Sequence, residues 1–471
     1  DASKSYGPLS SSSWTELAGG SKLQWGSFTP TSSRQDIDLP TPFTSECYNV
    51  TVSIAEDIST DTFKNNVYCS GFPLSSDPSK LTIVTDTLAQ QIDNDIYIDN
   101  TFSGTSVSLN DAGDVVAIGS FGKVRIFKAQ SNSWVQIGQD LDGVETNDDF
   151  GYSVSLNSSG NIVAIGSRGA NTDTGVVRIY ENISDTWVQK GVDIIGDNTY
   201  DNFGNSVSLN DAGDVVAIGA PANEILSSNV GYVRIYEYTI SSWVQKGTQI
   251  SGVVGDLHGA SVSLNGSGNI VAFSVPLVDT SNGVDSGYVR IYEHISGTNS
   301  WAQIGSDIIG EAANDKVGMT KSGVDLNKSG DIVAIGSFFN NGTIGCVKIY
   351  ENISGVWTQI GDNIVGKSVG DLFGTSVSLN GAGDVIAIGS VGFDNSRGVV
   401  RLYQNISGGW VQLGDDIQGK NIGDNSHEVG LNNSGDIVAI GAPVADSYSA
   451  RIYDTGLNRS RKKINWQAIG D

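Results

Sequence analysis

Along most of the chain, apolar and polar positions alternate in short runs with period two, and no stretch sustains a helical period. "SVSL" at Ser206–Leu209 sets serine against valine and leucine. "VVAIG" at Val215–Gly219 is almost wholly apolar, as a strand covered on both faces must be. "VRIYE" and "WVQKG" alternate again. The four runs are separated by "NDAGD", a glycine-bearing tight turn, by a loop of variable length, and by a second polar turn. This order recurs. Leu-Asn pairs begin at Leu109, Leu156, Leu209, Leu264, Leu326, Leu379 and Leu431. Tryptophans follow at Trp134, Trp187, Trp243, Trp301, Trp357, Trp410 and Trp466. Seven copies of four short strands predict an all-β, seven-bladed β-propeller of four-stranded antiparallel blades. One blade cannot cover its own two faces, so the ring is the stable unit.

The expected blades span about 101–138, 150–191, 203–247, 258–305, 318–361, 373–414 and 427–470, within a domain at 101–471. Residues 1–100 read differently. They hold Trp14, Trp25, Cys47, Cys69 and strand-like runs such as "ECYNVTVSI". They are expected to form a small β-rich, disulfide-containing connector or docking element, or to brace the closure of the ring. A Cys47–Cys69 bridge would close a short loop, worth roughly 3 kcal/mol by chain entropy. Cys346 sits in an apolar strand pattern and reads as a small buried residue.

Phe150-Gly151, Phe203-Gly204 and Phe373-Gly374, with Gly219-Ala220-Pro221 and Gly441-Ala442-Pro443, resemble the FG-GAP repeats of integrin α-type propellers, in the style of secreted algal and bacterial proteins. The resemblance covers about residues 101–470 and implies a fold rather than a ligand. The family's calcium loop is not carried over. "NDAGD" at Asn110–Asp114 is too short, and too poor in carboxylates, to supply six to eight oxygen ligands.

Composition narrows the function. The net charge is −25, with only 17% charged residues, so phosphate backbones and anionic membrane surfaces are disfavoured. No apolar run reaches the ~20 residues of a membrane span. The chain opens at Asp1 and reads as a mature, processed chain. Ten Asn-x-Ser/Thr sequons occur. Asn157, Asn265, Asn327 and Asn432 fall in the turn after the first strand, and Asn182, Asn352, Asn405 and Asn458 in the turn after the third. Asn341 falls on the other face and Asn49 outside the ring. The reading is a glycan-bearing face on a secreted protein, although turns favour asparagine in any case.

The opposite face is acidic. Its carboxylates could hold Ca²⁺, with Asp197, Asp201, Asp315, Asp371 and Asp424 as candidate ligands; the plainer reading is loop capping. "GDNIVGKS" at Gly361–Ser368 fits the P-loop pattern, yet "GVDIIGDN" and "GDDIQGKN" are its repeat counterparts and a strand follows it, so phosphate binding is not expected. One cation per blade (Arg125, Arg178, Arg234, Arg290, Lys348, Arg401, Arg451) reads as an internal ion pair. Arg459, Arg461, Lys462 and Lys463 make a basic run. No HExxH, CxxC or nucleophile-elbow pattern appears, and of the three histidines (His258, His294, His427) His258 and His427 lie in different blades, too far apart around the ring for an imidazole pair. The function expected is therefore a non-enzymatic, extracellular interaction module, an adhesion or structural subunit, with protein partners or self-assembly. A lectin-like carbohydrate binder is the alternative and a polysaccharide-active enzyme the third reading.

Overall fold

The computed structural model describes residues 89–97 and 103–457, apart from 132, 146–147, 223–228 and 444–448; outside these it describes only the backbone of seven short strands. Cys47, Cys69, Asn49, Asn458, Trp14, Trp25 and the 459–463 basic run lie outside the described residues.

Seven antiparallel sheets follow one another in chain order and form a closed β-propeller. In the second blade the strands run Phe150–Leu156, Ile162–Ser167, Val176–Ile183 and Thr186–Gln189, from the centre outward. The apolar second strand is buried throughout, as its composition requires. The outer strand is broken. After Gln189 it bulges and returns at Ile194–Ile195 to pair again with the third strand. Blades one to five share this break, whereas the sixth blade runs unbroken over Gly409–Gln418.

The core lies between blades. Ile162 and Ala164 of the second blade pack with Phe203, Val207 and Leu209 of the third. The blades approach so closely that a Cβ on Gly119 would stand 2.2 Å from the Gly151 carbonyl oxygen; this explains the invariant glycine of "AIG" in the first blades. Five of the tryptophans tie their blade to the one before. The indole N–H of Trp187 donates to the Ile137 carbonyl at 2.9 Å, and Trp243, Trp301, Trp357 and Trp410 repeat the bond. These tryptophans are packing anchors.

The seventh blade closes differently from the sequence expectation. Its first three strands are Glu428–Leu431, Ile437–Ala442 and Ser449–Asp454. Its outer strand is Gln90–Gln91 continued by Ile96–Tyr97, not the Trp466 segment. Ile464–Ala468 instead pairs with Lys80–Ile83 and Ile37–Leu39. The propeller therefore takes in residues from Ala89 onward, and the chain divides at Leu88/Ala89 and again at Thr455/Gly456. The physical reason is legible afterwards. "AQQIDNDI" at Ala89–Ile96 is an outer-strand repeat like "WVQLGDDI" at Trp410–Ile417, with its tryptophan and glycine replaced. Gln91 donates to Asp95 at 2.7 Å, as Gln412 does to Asp416 at 2.9 Å. Ile96 is buried between the seventh and first blades.

Candidate functional site

The inner strands surround a channel, and their free edges point backbone groups toward it. The repeat "SVSLN" satisfies them. In five blades the second serine accepts the N–H of the next blade's leucine: Ser108 from Leu156, Ser155 from Leu209, Ser208 from Leu264, Ser263 from Leu326 and Ser378 from Leu431, all at 2.9–3.0 Å. The residue after each asparagine extends the scheme. Asp111, Ser158, Asp211, Gly266, Lys328, Gly381 and Asn433 each donate their backbone N–H to the next member's carbonyl, and Asn433 donates back to Asp111. Seven backbone hydrogen bonds thus close a ring. At a ~4.8 Å strand-like spacing such a heptagon has a radius of ~5.5 Å, so side chains suffice to fill it. Lys328 fills it by reaching Asp111 at 2.5 Å and Asp211 at 3.0 Å.

The other end is barred as well. The fifth blade carries the insertion "MTKS" before its inner strand. Lys321 crosses the channel to pair with Glu428 of the seventh blade and donates to the Thr105 carbonyl at 3.0 Å. Its own carbonyl accepts from Ser206 and Ser261. At the Lys328 end lies a cavity of about 200 Å³, lined by the seven leucines and the asparagine turns. Asp325 borders it. It takes the serine position, accepting from the Leu379 N–H at 2.8 Å and the Ser263 hydroxyl at 2.9 Å. Enclosure by protein pushes its carboxyl up to about 6. Sequence reasoning passed over Asp325, Lys321, Lys328 and Glu428. Their signal was the departure of "SGVDLN" and "HEVGLN" from "SVSLN".

The calcium candidates do not converge. Asp201 accepts the N–H groups of Asp197 and Asn198, the Tyr232 hydroxyl at 2.9 Å and the Asn229 amide at 2.8 Å. Asp315 accepts from Glu311, Ala312 and Asn340; Asp371 from Lys367 and Ser368; Asp424 from Asn421. Asp197 is paired with Arg234. Four of the five are thus buried caps of their own loops. Among the described residues, no three His, Cys, Asp or Glu side chains form a metal set.

Four of the repeated cations are paired within their blades, whereas Arg451 donates to the Gln418 carbonyl and the Ser426 hydroxyl, and the acid at its partner position, Asp95, pairs with Lys420. Arg125 meets Asp140, Arg178 meets Asp193, Arg290 meets Asp307 and Arg401 meets Asp416 at 2.7–2.9 Å. Arg401 and its partners hold Asp416 below the usual carboxylate range against the opposing effect of burial, and the same holds for Asp193 and Asp307. Where the acid position becomes Gln249 or Asn363, an acid from the neighbouring loop substitutes. Arg234 takes Asp197, and Lys348 takes Glu311 at 3.0 Å. In the P-loop-like stretch, Gly361 adopts φ +69 in close contact with Gly408 and Trp410, and Lys367 pairs with Asp416. Both positions are architectural.

The sequons divide by environment. Asn157, Asn265, Asn327 and Asn432 are only 4, 3, 3 and 2% exposed. Asn157 Oδ1 accepts the N–H groups of Asn161 and Ile162, while Nδ2, the atom a glycan would occupy, donates to Ser159 and Asn161 at 3.0 Å. In the folded turn these four side chains are thus enclosed, with the Asn157 amide already engaged on both sides. Asn182, Asn352 and Asn405 accept a backbone N–H in their turns, and Asn341 is exposed.

The opposite face joins the loops between blades to those between second and third strands: Gly169 and Gly392 donate to the carbonyls of Asp148 and Asp371. Val144, Val254, Val369 and Ile422 on it are 76, 58, 73 and 61% exposed.

No family model matches the chain, and no curated protein matches it. Among solved structures it is similar to Kuenenia stuttgartiensis hydrazine synthase, at 11% identity and a TM-score of 0.48, over 74% of this chain and 94% of that one. It is also similar to the β-propeller domain of Myceliophteria thermophila Cps50 (Swd1), at 12% identity and a TM-score of 0.48, over 77% and 99%.

Proposed function

We propose that the chain is a non-enzymatic interaction module, an adhesion or structural subunit of an extracellular or cell-surface assembly. Its working surface is the face bearing the loops between blades. One observation carries this reading. The polar residues that recur in every blade are spent inside the ring, while apolar side chains that differ from blade to blade (Val144, Val254, Val369, Ile422) stand in solvent on one face. Exposed apolar groups on variable loops of a rigid scaffold suit a protein partner. The FG-GAP resemblance of Phe150-Gly151 and Gly219-Ala220-Pro221 fits an extracellular setting, as do the remaining sequons at Asn182, Asn341, Asn352 and Asn405.

A carbohydrate ligand is the second reading. Phe121 and Tyr152 stack at 6.3 Å, and Arg168 lies 3.6 Å over the Tyr152 ring, offering an aromatic platform with a cation beside it.

Cross-linking of the isolated protein through lysine, mapped by mass spectrometry, tests the first reading. Links between copies are expected at Lys367 and Lys420, whose side chains are 54% exposed. They should disappear in the Val254→Asp/Val369→Asp/Ile422→Asp variant. Links confined within single chains would overturn self-assembly through this face and turn attention to a glycan-binding screen.

A further inference from the structure

The channel holds one charge that the protein leaves unmatched. Lys321 is paired with Glu428, and Lys328 with Asp111 and Asp211. Asp325 is held by hydrogen bonds alone, from the Leu379 N–H at 2.8 Å and the Ser263 hydroxyl at 2.9 Å. Among the described residues no cation acts on it. Protein encloses this carboxyl, yet the residue keeps an accessible surface, because it borders the axial cavity. An enclosed carboxylate without a counter-charge is costly.

The rest of the cavity wall offers more oxygen. Each lining leucine stands opposite an apolar residue of its second strand, as Leu156 does opposite Val163 and Leu379 opposite Ile386. The asparagine that follows donates to that strand: Asn157 to the Ile162 carbonyl, Asn380 to the Val385 carbonyl. Antiparallel pairing alternates, so the leucine turns both of its backbone groups away from the second strand. The N–H groups follow this rule, Leu156 donating to Ser108 and Leu379 to Asp325. The leucine carbonyls leave on the same side, and no donor among the described residues reaches them. Backbone carbonyls left without a donor call for water or a cation. With the inner strands ~5.5 Å from the axis and a C=O bond of ~1.2 Å, these oxygens stand ~4 Å from it. That is too wide to grip a bare ion on all sides and wide enough for one that keeps some water. The cavity of about 200 Å³ has room for both.

We propose that the axial cavity binds one alkali-metal cation, K⁺ or Na⁺, beside Asp325, with leucine carbonyls and water completing its shell. The ligands are all oxygen, the set that hard cations take. Backbone carbonyls arranged in a ring are a known way of holding monovalent ions. One carboxylate matches one positive charge, whereas Ca²⁺ sites draw on several carboxylates. The bound ion would tie the fifth blade to the sixth at the Asp325–Leu379 contact. The acidic loops of the opposite face take no part in it.

Rubidium, which stands in for potassium, tests the site directly. Equilibrium dialysis of the full chain against Rb⁺ is expected to retain one ion more per wild-type chain than per Asp325→Ser chain, and KCl should displace it. The serine restores the residue that five other blades carry, so the variant should fold. Thermal unfolding at constant ionic strength gives the second readout. With N-methylglucamine as the only cation, the carboxylate is unmatched and Asp325→Ser should be the more stable chain. Replacing N-methylglucamine by K⁺ should lower the unfolding constant of the wild type several-fold, leave that of the variant unchanged, and so narrow the gap. Equal rubidium retention by the two chains, or equal stabilisation of both by KCl, would overturn the proposal. Displacement of rubidium by Ca²⁺ or Mg²⁺ at far lower concentration than by K⁺ would overturn the assignment to a monovalent ion.

Discussion

A carboxyl at position 325 stands where five other blades carry a serine hydroxyl. Its pKa, about 6 against the ordinary 3.8, means that the folded chain holds this proton more tightly than the unfolded chain does. The associated stability is complete below about pH 4 and is lost as pH rises through about 6. Replacing Asp325→Ser keeps an acceptor for the Leu379 N–H and removes the buried charge. Thermal unfolding should show a variant more stable at pH 7, by ~2 kcal/mol, with a flatter profile between pH 4 and 6. The arginine-paired Asp193, Asp307 and Asp416 act in the other direction. Their pKa values are lowered, so their contribution is lost only as pH falls below the ordinary carboxylate range. Gly430 is the other gap in the serine ring. A Cβ there would lie 3.7 Å from the Leu109 nitrogen with nothing closer than 3.5 Å. Gly430→Ser should complete the ring and raise the denaturation midpoint by ~1 kcal/mol equivalent.

At the scale of the element, the inner turn does more than its sequence suggested. Asn210, buried, accepts the N–H groups of Asp214 and Val215 and donates to the Asp214 carboxylate. Asn210→Ala would strand two backbone donors and should cost ~2–3 kcal/mol in chemical denaturation. Glycopeptide mapping should find no glycan at Asn157, Asn265, Asn327 or Asn432, whatever is found at Asn341. The strands themselves were legible because period-two alternation and a fully apolar second strand leave little choice of face. The outer strand of the seventh blade was not. Ala89 and Asp93 erase the two residues by which the eye finds that strand, leaving only the Gln91–Asp95 spacing. The channel residues were hidden for a related reason. Reading a repeat by its common pattern discards Asp325, Glu428 and Gly430, the positions where the blades differ.

For the molecule as a whole, the repeated chemistry faces inward. Ion pairs and asparagine side chains hold each blade together, tryptophan bonds and serine hydroxyls join most blades to a neighbour, and lysines of the fifth blade bar the channel at both ends. The loop face offers a partner acidic groups between exposed valines and isoleucine, on a chain of net charge −25. The most direct test is sedimentation velocity of the protein isolated without denaturant, over a range of concentrations, with and without a divalent-cation chelator. The account predicts a species heavier than the 49.5 kDa chain, unchanged by chelation, because the candidate calcium carboxylates are engaged by their own loops and by Arg234. A 49.5 kDa species at every concentration would contradict the assembly reading, and an assembly that the chelator dissolves would contradict the reading of the acidic loops.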